Sequence, residues 1–152
     1  MKWYSEDLIK YVQAKEYIDT LIIPLEAFHL SQESNLEKDA FHREVLGIYT
    51  NEIEKELSGR VLLAPTYAYL KSSNLDNEVA RLNSWIEDVK TQPFTSIFVI
   101  TFDNAWKKVE TDLACHLLWL PGMKPGNIKS EDAVKLIRSQ VEQISELIRS
   151  YW

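Results

Sequence analysis

Three short segments hold the side chains that could do chemistry. The first offers Glu26 and His29, followed by Ser31, Gln32 and Glu33. The second offers Thr66, Tyr67, Tyr69, Ser72 and Asn74, and the third Thr101, Asp103, Asn104 and Trp106. Each follows a short apolar run. If those runs are neighbouring strands, their trailing loops meet at one sheet edge, in a cleft rich in carboxylates, hydroxyls and aromatic rings. Glu26, His29, Thr66, Tyr67, Asp103, Asn104 and Trp106 form the candidate pocket.

Glu26, His29 and Asp103 are donors of the kind that hold a divalent ion. The surrounding pattern argues against a metal. No His-x-His pair, His-Glu-x-x-His helix or cysteine pair accompanies them. One histidine and two carboxylates without supporting partners hold an ion weakly, so the protein is expected to be metal-free and no cofactor is implied. The first strand is similar to that of the creatininase-like amidohydrolases, where a Pro-ended strand precedes metal-binding Glu and His. The glycines and further histidines of that family are missing here, and the Glu–His spacing differs. That resemblance therefore implies a shared fold and not a shared function.

Other chemistries find less support. No Gly-x-Ser-x-Gly elbow occurs. Cys115, the only cysteine, sits in an apolar run and reads as a small buried hydrophobe. Its neighbour His116 points to the opposite strand face. His42, between Phe41 and Arg43 on a helix, is expected to face solvent. None of Gly47, Gly59, Gly122 and Gly126 is placed as a Rossmann or P-loop fingerprint requires, so no nucleotide cofactor is expected. Trp85 and Trp119 read as core. Trp3, Tyr67, Tyr69, Trp106, Tyr151 and Trp152 read as covers for the sheet ends or as interface. Residues 121–127 form a rigid Pro/Gly turn.

The elements that must position these groups follow from apolar spacing. Continuous apolar runs at 21–25, 60–64, 96–101 and 117–120 read as strands buried on both faces. Pro24, Pro65 and Pro121 are expected to halt their ladders, since proline has no N–H to donate. Helical spacing occupies 5–17, 36–57, 76–90 and the stretch after Ser130, where Val134, Ile137, Val141, Ile144, Ile148 and Tyr151 form a stripe. Segments 26–35 and 65–74 read as long loops. Between the last two strands, a two-turn helix at 104–110 just permits a parallel fourth strand; a ten-residue loop and an antiparallel strand are the alternative. The expectation is a single three-layer α/β domain over 1–152. Its small, mostly parallel sheet has about four strands in flavodoxin-like or Rossmann-like connectivity, with the first strand between the second and third.

The chain has 152 residues, 45% of them hydrophobic and 26% charged, an ordinary globular balance. Its net charge of −6 argues against nucleic acid as a partner. No apolar run approaches the roughly 20 residues that span a bilayer, and residues 1–7 lack a signal-peptide core, so a cytoplasmic location without membrane insertion is expected. Lys2-Trp3, the 11–20 segment Tyr-Val-Gln-Ala-Lys-Glu-Tyr-Ile-Asp-Thr, Ile22-Ile23-Pro24-Leu25, Ile100-Thr101-Phe102-Asp103 and Trp119-Leu120-Pro121 resemble the YpiF-like proteins of Bacillus and its relatives. The resemblance implies a cytoplasmic Firmicutes protein of unknown function and carries over no catalytic residue. Two classes remain. One is a non-enzymatic binding or adaptor protein acting on an unknown protein partner, with a homo-oligomer left open. The other is a small hydrolase-like or metal-dependent enzyme at the strand ends. Convergence of Glu26, His29, Tyr67 and Asp103 in one pocket would favour the enzyme, and dispersal the adaptor.

Overall fold

Every apolar run becomes a strand of one parallel sheet in the computed structural model, which describes residues 1–152. The strands are β1 (Thr20–Phe28), β2 (Val61–Leu63), β3 (Tyr67–Leu70), β4 (Ser96–Thr101) and β5 (His116–Trp119). Their order is β2-β1-β4-β5, with β3 pairing β1 beyond the end of β2. Thr20 pairs with Val61 on one side and Ser96 on the other, so β1 is central, as expected. All four pairings are parallel. The fourth apolar run is therefore parallel too, reached through a 3-10 helix at Asn104–Asp112.

Two expectations fail at the prolines. Pro24 does not end β1, which runs four residues further to Phe28. The reason is parity. Thr20 N donates to Arg60 O at 3.1 Å and Ala64 N donates to Ile22 O at 2.9 Å, so even-numbered peptide groups of β1 face the edge strands. Pro24 is even, and its missing donor points to the stretch between β2 and β3. The ladder is already interrupted there. Ile22 pairs with Leu63 but Leu25 with Tyr67, so the edge carries one extra residue, a bulge at 64–66. The second failure lies beyond that bulge. Residues 67–70, read as loop, form β3, with Tyr67 and Tyr69 buried and Ala68 and Leu70 exposed.

The helices are α1 (Ser5–Ala14), α2 (Leu36–Glu56), α3 (Leu75–Val89) and α4 (Glu131–Arg149). Side chains alternate across the sheet and divide the core in two. Leu21, Ile23, Leu25, Ile97 and Val99 meet Tyr11 of α1, Leu82 and Ile86 of α3, and Trp106. Ile22, Phe98, Ile100 and Leu118 meet Val45, Tyr49 and Ile53 of α2 and Val141, Ile144 and Ile148 of α4. Burying each such aliphatic or aromatic side chain stabilises by about 1.5–3 kcal/mol. Asn74 and Ser130 cap α3 and α4, accepting from Asn77 N and Ala133 N at 3.2 Å each. No helix is long and apolar enough to cross a membrane.

The aromatic residues divide differently from their sequence reading. Trp106 and Tyr67 are fully buried, whereas Trp85 is 37% exposed and Trp119 half-buried. Tyr151 packs on Phe98 and His116, with ring centroids at 5.2 and 4.4 Å. Trp152 lies under the Arg60 guanidinium at 3.8 Å and donates from Nε1 to Thr20 Oγ1 at 2.9 Å.

Candidate functional site

The chain leaves β1 toward one edge of the sheet, and β4 lies on the other side. Helices following these strands occupy opposite faces, so a crevice opens between the carboxyl ends of β1 and β4. A cleft of about 480 Å³ fills that position. Leu25, Glu26 and Ala27 of β1, Thr101 at the end of β4, and Phe102 to Asn104 after it form its base. Lys38, Asp39, His42 and Arg43 of α2 form one wall. Trp119 and the loop from Pro121 to Pro125 form another, and Lys71 enters from beyond β3.

The acids at this cleft are each engaged. Asp39 Oδ2 lies 2.7 Å from His29 Nε2 and accepts from Lys71 Nζ at 2.7 Å. Burial works to raise the Asp39 carboxyl, but the Lys71 and His29 contacts outweigh it and hold its pKa below the ordinary value. Glu26 Oε2 meets Arg43 Nε at 3.3 Å. Asp103 Oδ2 accepts from the Tyr69 hydroxyl at 2.6 Å, and its Oδ1 caps the 3-10 helix by accepting from Ala105 N at 3.0 Å. Burial, and then the Asp103 charge, push the Tyr69 hydroxyl far above its ordinary pKa, so it stays a donor.

His42 does not face solvent. It is half-buried, with Nε2 3.2 Å from the Met123 carbonyl. A carbonyl can only accept, so Nε2 carries the proton. Burial draws the ring's pKa below its ordinary value and keeps it neutral. The cause of the mismatch is tertiary: the loop after β5 covers this shoulder of α2. Gly122 makes that approach possible, since a Cβ there would lie 2.3 Å from His42 Nε2 and 2.5 Å from Cε1.

Of the residues singled out by sequence, Glu26, Asp103 and Asn104 line the cleft. His29 is 6% exposed and reaches it only through Asp39; its Nδ1 is buried without a partner. Thr66 is exposed at the bulge. Tyr67 points into the α3 face, donating to Glu78 Oε2 at 2.5 Å and accepting from Arg81 Nε at 2.6 Å, and burial pushes its hydroxyl up to about 12. Trp106 stacks edge-on against Tyr69 at 5.3 Å, in the same core. No three His, Cys, Asp or Glu side chains gather as they would around a metal ion. Burial raises the Cys115 thiol to about 12, so it is not a thiolate at neutral pH. As cleft residues, Lys38, Asp39, Arg43, Lys71 and Lys124 escaped the sequence reading, and Trp119 was read as core. Lys38, Asp39, His42 and Arg43 recur with helical spacing on one flank of α2, a signal present in the sequence once that flank is known to border a strand end.

Comparison with known proteins places the chain in a family. The profile described as "Protein of unknown function (DUF2487)" matches residues 9–152. The "Uncharacterized protein YpiF" of Bacillus subtilis (strain 168) is 32% identical over 107 residues, covering 70% of this chain and 69% of that protein. No solved structure matches. The chain belongs to the DUF2487 family.

Proposed function

We propose that this member of the family is a non-enzymatic binding protein of the cytoplasm, acting as an adaptor through contacts with a protein partner. The supporting observation is dispersal. Glu26 is paired to Arg43, His29 to Asp39, Tyr67 to Glu78 and Arg81, and Asp103 to Tyr69. A catalytic set needs its base, nucleophile and stabilising donors aimed at one point. Here Tyr67 lies on the opposite face of the sheet from α2, and each remaining group is occupied by its own neighbour. Exposed aromatic rings at Trp3, Tyr4 and Trp85 add contact area of the kind that interfaces use. The enzymatic alternative keeps one observation in its favour, that Glu26 and Asp103 share the strand-end cleft.

The test is to recover the tagged full chain from native cells after brief cross-linking. A defined partner, a second copy included, should be recovered. It should be lost in Trp3→Ala/Trp85→Ala and retained in Glu26→Gln and Asp103→Asn. Consumption of a metabolite by the purified protein in cell extract, abolished by Asp103→Asn, would instead establish the enzyme.

A further inference from the structure

We propose that the strand-end cleft binds a small anionic molecule, a carboxylate or phosphate ester with a flat apolar body. This goes beyond the adaptor reading and stands independently of it. The whole chain carries a net charge of −6, yet the cleft is lined by Lys38, Arg43, Lys71 and Lys124 against Glu26, Asp39 and Asp103. Pairing Lys71 with Asp39 leaves that excess of one positive charge unchanged and leaves other cations free. Lys71 is committed to Asp39, and Asp103 to the Tyr69 hydroxyl. Lys38 and Lys124 have no acidic partner. Arg43 touches Glu26 through a single nitrogen at 3.3 Å and is 68% exposed. Such an open, exposed pair holds its guanidinium weakly, so the planar fork is available to a carboxylate or phosphate oxygen. For a cation entering the same space, Asp39 and Asp103 are engaged and only Glu26, through that same open pair, is within reach.

The second half of the ligand follows from the walls. Trp119 and Phe102 line the cleft with flat apolar surface. The Trp119 indole N–H is buried and lacks a partner in the protein, while Lys107 covers the ring at 4.1 Å from its centroid. A pocket of about 480 Å³ suits a small molecule and not a folded segment. An aromatic or similarly flat body against these rings, with its acid group toward Arg43 and Lys124, uses both features.

Calorimetric titration of the full chain with benzoate, phenyl phosphate, inorganic phosphate and benzylammonium tests this. At least one of the two aromatic anions should saturate below about 10 mM, and which one does distinguishes a carboxylate from a phosphate head. Arg43→Gln/Lys124→Gln should weaken that binding about tenfold, whereas Lys10→Gln on α1 should leave it unchanged. Glu26→Gln should strengthen it, because the competitor for Arg43 is gone. Both cations are exposed, so circular dichroism of the double variant should match the native chain; a lost fold is answered by the single Lys124→Gln variant, expected to weaken binding by a smaller factor. Saturation by neither aromatic anion, equal binding of benzylammonium, equal binding of inorganic phosphate, or native affinity in these variants would overturn the proposal.

Discussion

Gly122 has no room for even a methyl group, because the His42 imidazole occupies the space. Gly122→Ala must therefore displace either the ring or the loop that carries Met123. It should destabilise the protein by about 1–3 kcal/mol, the usual cost of overpacking. Urea denaturation measures this, and His42→Ala in the same chain should recover part of the loss, since the two changes share one contact. The same histidine sets a pH response. Its folded pKa lies below 6.5, so as pH falls the unfolded chain takes up a proton that the folded chain refuses. The contribution of the neutral ring is complete above 6.5 and declines as pH drops from there toward the folded value. Asp39 is likewise depressed, but its contribution is lost only below 3.8, as pH falls through its folded pKa. Urea midpoints measured against pH should fall in two stages, and His42→Gln should remove the upper one. At this scale the sequence was informative about Glu26, near the carboxyl end of β1, and about Asp103 and Asn104, which follow β4. It was silent about their partners, because Arg43 and Tyr69 reach them only through the fold.

Strands and helices were legible where apolar spacing alone decides them. The expected 36–57 helix is α2, and the expected 96–101 strand is β4. β3 was hidden although its sequence alternates correctly, Tyr67 and Tyr69 inward, Ala68 and Leu70 outward. Pro65 read as the end of the edge strand, and nothing local shows that pairing resumes after one extra residue. Pro24 misled for a related reason: a proline's cost depends on which neighbour its nitrogen faces, and that is a property of register. The parity yields a sharp contrast. Pro24→Ala should change stability by about 1 kcal/mol or less. Ile23→Pro removes a donor that faces β4 in the middle of the sheet, and should cost about 3 kcal/mol or more. Thermal unfolding of the two variants compares them directly.

Across the whole molecule, three layers, parallel strands and a central β1 were readable because helices alternate with apolar runs along the chain. The cleft's electrostatics were not, since the contacts that set them, Lys71 to Asp39, Tyr69 to Asp103 and Arg43 to Glu26, join different elements of the fold. That same remoteness governs how the chain reaches its fold. β1 is the middle of the sheet, yet it lies early in the chain, and its main neighbour β4 begins only at Ser96. Little of the sheet can be closed by local contacts, and loop entropy must be spent before pairing rewards it. A chain emerging from the ribosome would carry Leu21-Ile22-Ile23 with no strand on either flank until Val61 appears, and with one flank still open until Ile97 follows. During that interval α1, made before β1, and α2, made after it, are the elements available to cover this apolar segment, one on each face. The order of synthesis thus makes α2, together with α1, a guardian of the nascent strand before it becomes a wall of the cleft.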